Sequence, residues 1–127
     1  MIVVDASAAL AGLLNDGPAR RSLATERLHV PHLIDAEVAN ALRRHTRAGD
    51  VSDSASWVAL DTWRRLGATR YAIHALLDRI WQLRDNLSAY DASYVALTET
   101  LGCSLLTADA RLSRAPGLRC PVTVVPR

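Results

Sequence analysis

The sequence predicts an α/β domain in which helices cover both faces of a parallel sheet. Short β-branched runs alternate with helical stretches, the runs are almost wholly apolar, and two acids lie where such runs end. Continuous apolar strands are typical of parallel sheets that are buried on both faces. A ligand crevice is then expected outside the carboxyl ends of the strands.

Length and composition indicate one ordinary domain. The chain has 127 residues, 50% of them hydrophobic, and we see no repeat or linker, so we predict a single domain over residues 1–127. Neither a signal peptide nor the ~18 apolar residues of a membrane span is visible, so we expect a cytoplasmic protein with no membrane partner. Cys103 and Cys120 lack metal-binding spacing and are expected to be free thiols.

Each predicted element of the first half has a local cause. A β-branched run opens the chain and predicts a strand, whereas the Ala/Leu-rich stretch after Asp5 predicts a helix. Three breaks separate the segments that follow, namely the turn-forming residues 15–18, Pro31 and Gly49. In order, we predict a strand at 2–4, a helix at 6–14, a short helix at 19–27, a strand at 28–30 and a helix at 32–48.

The second half continues the alternation. Gly67 and Gly102 end helical patterns, and Ser88 with Asp91 three residues later has the form of a capping box. In order, we predict a helix at 53–66, a strand at 69–72, a helix at 74–84, a helix at 89–101, a strand at 103–106, a brief helical segment ending near 114 and a strand at 122–125. The apolar positions of the 89–101 helix are assigned to Tyr90, Tyr94, Leu97 and Leu101.

Four acids occupy positions that this topology would turn towards one crevice. Asp5 and Asp109 follow strands, whereas Glu37 and Asp91 lie on inward margins of their helices. Each also has a structural explanation: Asp5 and Asp109 as helix N-caps, Asp91 as part of a capping box, and Glu37 as the ion-pair partner of an arginine. Converging carboxylates repel one another unless a cation neutralises them, and oxygen ligands of this kind suit Mg²⁺ or Mn²⁺.

Neighbouring polar residues fit the same interpretation. Ser7 and Thr107, each two residues from an acid, are candidates to hydrogen-bond a ligand carboxylate, with helix capping as the alternative. Asn40 is a candidate to orient Glu37, and the four histidines show no zinc-ligand spacing. A divalent ion held by carboxylates favours phosphodiester hydrolysis as the leading chemistry.

Three segments, in this order and spacing, carry a resemblance that spans nearly the whole chain: MIVVDASAAL, VPHLIDAEVANALRR and LSAYDASYVALTETLGCSLLTADARL. They resemble the PIN-domain ribonucleases, and most closely the VapC toxins of bacterial toxin-antitoxin pairs. The resemblance implies a three-layer α/β/α sandwich with a short parallel sheet, a Mg²⁺ or Mn²⁺ site ringed by the four acids, and endonucleolytic cleavage of RNA. It also implies a homodimer that a cognate antitoxin holds inactive. The region 51–84 matches no specific motif of the family.

Arginine supplies all fifteen basic residues, since the sequence contains no lysine. Arg43, Arg44 and Arg47 near the end of the Glu37 helix, and Arg111 after Asp109, are candidate contacts for RNA phosphates. A solvated helix face is the alternative for each of them.

Two tryptophans give the 53–66 helix a bulky apolar surface. This helix has more apolar surface than a short helical hairpin readily buries, and the side chains that supply it are Trp57, Val58, Leu60, Trp63 and Leu66. A surface that faces a partner and simple packing against the neighbouring helix are both open.

Other protein classes fit the sequence less well. A haloacid-dehalogenase-type phosphatase needs a second Asp two residues after the first and a lysine, but Ser7 stands at that position and lysine is absent. Response-regulator receiver domains need the same lysine. The remaining alternative is a catalytically silent PIN-like scaffold that binds RNA or a protein, and the intact carboxylates count against it.

Overall fold

The computed structural model describes residues 1–127 and has the predicted α/β class, with a five-stranded parallel sheet flanked by helices. The elements are, in order, β1 (Ile2–Val4), α1 (Ala6–Leu14), α2 (Pro18–Thr25), β2 (Leu28–Pro31), α3 (Ile34–Ala48), α4 (Asp53–Arg65), β3 (Thr69–Tyr71), a 3₁₀ turn (His74–Leu76), α5 (Leu77–Gln82), α6 (Ala89–Leu101), β4 (Ser104–Thr107), α7 (Ala110–Ser113) and β5 (Val122–Val124). None of these helices combines the length and apolar character that a membrane span requires.

The sheet has the strand order β3-β2-β1-β4-β5, and every neighbouring pair is parallel. β1 is the central strand, with Ile2 opposite Leu28 of β2 and Val4 opposite Leu106 of β4. The order changes direction at β1, because the chain runs outward to β2 and β3 on one side and later to β4 and β5 on the other. The carboxyl ends of β1 and β4 therefore form the switch point at which open α/β sheets bind ligands.

Helices cover both faces of the sheet. Val3 and Val4 point to opposite faces, and each is 0% exposed. Helix α6 packs across β1, β2 and β4 and is buried on nearly every side, whereas α1 packs on β4 and on α2, α3 and α4. This double coverage explains why the strands are continuously apolar rather than alternating.

Most predicted boundaries agree with the structure to within two residues. α3 and α6 end at Gly49 and Gly102 as predicted, and both glycines have the positive φ that favours this residue. The predicted helix at 74–84 is instead a 3₁₀ turn followed by the short α5, and neither segment has a side-chain N-cap. The apolar assignment of Tyr90 is also wrong, because this side chain is 63% exposed.

The two tryptophans of α4 have different environments. Trp63 is 1% exposed, and its Nε1 donates a 2.8 Å hydrogen bond to Asp35, so the interpretation as a partner surface is wrong for this residue. Asp35 also accepts two hydrogen bonds from Arg70 at the edge strand β3. Trp57 is 57% exposed and stays available to a partner. The two cysteines are free thiols, as expected.

Candidate active site

Asp5 lies between β1 and α1, at the switch point of the sheet, and is only 5% exposed. Its carboxylate accepts hydrogen bonds from the Ser7 hydroxyl at 2.7 Å, from the Ala8 N–H at 2.9 Å and from the Thr107 hydroxyl. Burial raises the pKa of this carboxyl, although the three donors oppose the shift. Asp5 therefore caps α1 and also places a buried carboxylate at the end of β1.

Ser7 and Thr107 connect the start of α1 to the end of β4. The Ser7 hydroxyl accepts the Ala108 N–H at 2.9 Å and lies 3.2 Å from that of Thr107, which accepts the Asp109 N–H at 3.0 Å. Thr107 is 0% exposed. The structure thus places both hydroxyls on Asp5, the contact proposed from their spacing.

Glu37 lies in the first turn of α3, where its carboxylate accepts a hydrogen bond from the hydroxyl of Tyr94 on α6. Burial raises the pKa of Glu37, and the negative charges of Asp91 and Asp5 act in the same direction. The predicted arginine partner is wrong, because the partner is a phenol. Asn40 lies one turn further along α3 but makes no hydrogen bond to Glu37, so the structure does not place it in the orienting position that we predicted.

Asp91 lies in the first turn of α6, and its backbone N–H donates a 3.1 Å hydrogen bond to the Ser88 hydroxyl. Only this half of the predicted capping box forms, since the Asp91 carboxylate has no hydrogen-bond partner in the chain. Burial raises the pKa of Asp91, and the charges of Asp5 and Asp109 raise it further. Asp91 is therefore a carboxylate with free lone pairs next to two other acids.

Asp109 caps the short α7 by accepting the Arg111 N–H at 3.0 Å. The guanidinium of Arg111 also binds both carboxylate oxygens, with Nε at 3.1 Å and Nη2 at 2.9 Å. These hydrogen bonds lower the pKa of Asp109, in contrast to the other three acids. The Arg111 side chain is 83% exposed, so the pair is open to solvent and easily exchanged.

The four acids converge electrostatically but do not form a closed chelating cluster. Asp91 and Asp109 line one small depression, together with Arg111, while Glu37 and Ser7 line the adjoining groove. No three carboxylate, imidazole or thiol groups stand close enough together to hold one ion. The donor chemistry nevertheless fits a divalent cation, because Asp5, Glu37 and Asp91 have no cationic side chain paired with them and supply only carboxylate oxygens.

The candidate arginines are spread over different surfaces. Arg44 lines the groove beside Glu37, and Arg111 binds Asp109. Arg43 and Arg47 are exposed on α3 but lie outside the groove.

Comparison with known proteins identifies the family. A model of the PIN domain matches residues 2–118. The chain is 61% identical to VapC ribonuclease Mb0985 of Mycobacterium bovis and to ribonuclease VapC9 of Mycobacterium tuberculosis, in each case over 127 residues and 100% of both chains. The chain belongs to the VapC family of PIN-domain ribonucleases. As a VapC ribonuclease it is an RNA-hydrolysing enzyme and the toxin of a toxin-antitoxin pair, so the silent-scaffold alternative is not favoured.

Solved structures agree with this VapC fold. PAE2754 from Pyrobaculum aerophilum superposes with a TM-score of 0.73 and 26% identity, covering 95% of this chain and 81% of that one. VapBC2 from Rickettsia felis, solved with a DNA fragment from its promoter, gives a TM-score of 0.71 and covers 98% and 99% of the two chains. At 10% identity, the second comparison supports the fold alone.

Tyr94 is the site residue that sequence reasoning missed. Its helical spacing assigned it to the apolar face of α6, and the side chain is indeed 2% exposed. A buried tyrosine hydroxyl nevertheless requires a hydrogen-bond partner, and an acid inside the apolar arc of another helix requires a donor. A buried hydroxyl that requires an acceptor and a buried carboxylate that requires a donor together indicate a hydrogen bond between Tyr94 and Glu37.

Proposed function

We propose that Asp5, Glu37, Asp91 and Asp109 form the site at which this chain cleaves RNA endonucleolytically, with Mg²⁺ or Mn²⁺ as the cofactor. One observation carries the proposal: three carboxyls from separate elements, Asp5, Glu37 and Asp91, lie partly or wholly buried near the switch point, where burial and the charges of neighbouring acids raise their pKa values. Such an excess of negative charge is stabilised by a cation, and oxygen-only donors favour these two ions.

The side chains of the proposed site have separate tasks. Asp5 is held rigidly by three donors, and Glu37 is oriented by Tyr94, so both are positioned before RNA arrives. Asp91 has no partner and is free to accept a ligand or a proton. When bound, the ion supplies positive charge opposite the phosphate and lowers the pKa of the attacking water. Asp109 can bind the ion with both carboxylate oxygens only after its hydrogen bonds to the Arg111 guanidinium have broken.

The proposed partners are an RNA substrate, a cognate antitoxin protein and a second copy of the chain. The exposed Trp57 and Val58 of α4 are candidates for one of the two protein interfaces, because large aromatic and aliphatic side chains are enriched there. Light scattering and antitoxin binding of Trp57→Ala distinguish the two interfaces.

Cleavage by the purified, antitoxin-free chain tests the proposal. We expect cleavage of single-stranded or looped RNA with Mg²⁺ or Mn²⁺ and none with EDTA, and Asp5→Asn should lower the rate by orders of magnitude. Asp78→Asn is the matched control, because Asp78 is exposed on α5 and outside the site. Sequencing the 5′ ends of RNA cleaved in cells after induction identifies the substrate. Cleavage that persists in EDTA or in Asp5→Asn would refute the metal site.

A further inference from the structure

A groove of about 640 Å³ leads away from the proposed acidic site, and none of the roles above uses most of its lining. We call it the α1–α3 groove; beyond the acidic site its lining includes several alanines and Leu10, Leu14, Asn40, Arg44, Tyr90 and Arg127. Ser7 and Glu37 are shared with the acidic site, whereas Leu10, Leu14 and the alanines give the rest an apolar surface. A groove of this size and mixed character is typical of ligand sites.

Tyr90 supplies an aromatic ring at the rim of the groove. It is the residue immediately before Asp91 in the first turn of α6, it is 63% exposed, and its hydroxyl makes no hydrogen bond in the chain. Trp57 and Trp81 are similarly exposed, but Tyr90 is the one of the three whose ring lines the groove beside the acids. Rings in this position next to nucleic-acid sites stack on bases, and their loss weakens binding by roughly 5- to 150-fold per base.

Unpaired hydrogen-bond donors line the same groove as Tyr90. Arg44 and Arg127 line the groove, and neither guanidinium forms a salt bridge or a side-chain hydrogen bond, in contrast to Arg70 or Arg79. A guanidinium without a carboxylate partner is suited to bind a phosphate. The amide of Asn40 lines the same groove without a partner and can pair with the edge of a base.

We propose that the α1–α3 groove is a nucleotide subsite for the RNA substrate. A base adjacent to the cleaved phosphate stacks on Tyr90, while flanking phosphates contact Arg44 and Arg127. RNA matches this surface better than an apolar peptide does, because an aromatic ring, unpaired guanidiniums and a free amide together are what a single-stranded nucleotide requires. The inference rests on the proposed function, since the subsite is defined relative to the cleaved phosphate.

Abasic substitution in the RNA provides the direct test. A short oligoribonucleotide containing the mapped cleavage site is prepared intact and with an abasic ribose at each position in turn. With the unmodified protein, an abasic residue next to the cleaved bond should raise KM about tenfold with little change in kcat. On intact RNA, Tyr90→Leu should raise KM by a similar factor, and the abasic residue next to the cleaved bond should then raise KM no further. Tyr90→Phe and Tyr90→Trp, which keep an aromatic ring, should have the KM of the unmodified protein and its response to the abasic residue.

The matched control is Trp81→Leu, because Trp81 is equally exposed but lies on α5 outside the groove. Anisotropy of the same oligonucleotide, labelled with fluorescein and measured in EDTA, follows binding without cleavage. If the oligonucleotide is cleaved but Tyr90→Leu and the unmodified protein respond identically to every abasic position, the subsite is rejected while the ribonuclease site stands. If no RNA is cleaved under any condition, the proposed function has failed instead.

Salt dependence tests the arginines separately. Arg44→Gln should weaken RNA binding and reduce the slope of log K against log salt by about 0.7, the value for one phosphate contact on a single strand. Arg21→Gln is the control, since Arg21 is an exposed arginine of α2 without a side-chain partner and outside the groove. If Tyr90→Leu and Arg44→Gln leave RNA binding unchanged but weaken binding of the purified antitoxin, the groove belongs to the protein partner and the proposal is overturned.

Discussion

The hydroxyl of Tyr94 on α6 donates a hydrogen bond to the carboxylate of Glu37 on α3, and this contact joins two helices that belong to different parts of the chain. Burial raises the pKa of the Tyr94 phenol, so the group remains a protonated donor throughout the working pH range. Asp91 lies one turn before Tyr94 on the same helix. The phenol of Tyr94 therefore holds the Glu37 carboxylate close to the helix turn that carries Asp91.

Tyr94→Phe removes this donor and keeps the buried ring. We expect a fall in kcat of about tenfold or more with little change in KM for RNA, because a hydrogen bond to a charged group contributes about 1.5–3 kcal/mol. Binding of Mn²⁺, followed by titration calorimetry without RNA, should weaken as well. Steady-state cleavage and calorimetry on the same preparation measure both effects.

Tyr71→Phe is the control for the Tyr94 variant. Its hydroxyl lies 2.6 Å from Nδ1 of His29 on the sheet, so the same chemical change is made far from the acids. Equal kcat values for Tyr94→Phe and Tyr71→Phe would show that Glu37 needs no orienting donor.

Substitutions of Asp109 and of Arg111 should have opposite effects on Mn²⁺ binding. Asp109→Asn keeps the N-cap, and it loses only an exposed ion pair, so the melting temperature of the metal-free protein should change little. Saturating Mn²⁺, at about a hundred times its dissociation constant, adds roughly 2.7 kcal/mol to the unmodified protein, and the variant should gain less. Arg111→Gln should instead tighten Mn²⁺ binding, because a competitor for the carboxylate is removed.

Thermal unfolding with and without Mn²⁺ measures these responses in all three proteins. Identical metal-induced shifts, together with identical RNA cleavage, would return Asp109 to the role of a helix cap. The site would then consist of Asp5, Glu37 and Asp91 only.

Trp63 and Trp57 should respond differently to substitution. Trp63→Phe leaves a gap in the core and removes the hydrogen bond to Asp35, and we expect a loss of about 1–3 kcal/mol in the free energy of unfolding by urea. Trp57→Ala should change the same quantity by less than about 0.5 kcal/mol. Light scattering and antitoxin binding then decide its role: a monomer whose antitoxin affinity is unaffected by Trp57→Ala would assign no interface to this surface.

The Asp35–Arg70 pair predicts a dependence of stability on pH. Hydrogen bonds from Arg70 lower the pKa of Asp35 in the folded state, so the stabilising contribution is present above the unfolded pKa and is lost as pH falls through the folded pKa. We expect the free energy of unfolding to fall between about pH 5 and pH 2, with a shallower fall in Arg70→Gln. Urea unfolding across this range measures both curves, and parallel curves would contradict the prediction.

The elements that the sequence predicted well have causes contained within a few residues. β1 and α1 meet at Asp5 as expected because a β-branched run, a capping acid and an alanine-rich helix follow one another without interruption. The predicted helix at 74–84 is wrong in its first turn, because the spacing of apolar residues does not distinguish a 3₁₀ turn from the start of an α-helix.

The proposed site follows from the sequence as a set of acids but not as a set of contacts. Asp5 and Asp109 follow strands, so topology alone brings them to one edge of the sheet. The partners of Glu37 and Asp35 are Tyr94, Trp63 and Arg70, which are distant in sequence. Helical periodicity assigns a tyrosine or tryptophan to the apolar face of a helix but does not predict the hydrogen-bond partner of its polar atom. These contacts are therefore seen only in the structure.

The sheet places the first strand of the chain in the middle, hydrogen-bonded to a strand that is made nearly last. The Asp5 N–H donates a hydrogen bond to the Leu106 carbonyl, and its carboxylate accepts the Thr107 hydroxyl, so two of its contacts come from about a hundred residues later in the chain. The other two donors, Ser7 and Ala8, are local. A nascent chain therefore lacks the Leu106 and Thr107 contacts of Asp5 until β4 has been made. The proposed acidic site can therefore form only after residues 107–109 have been synthesised, because the Thr107 hydroxyl and the Asp109 carboxylate both come from that segment.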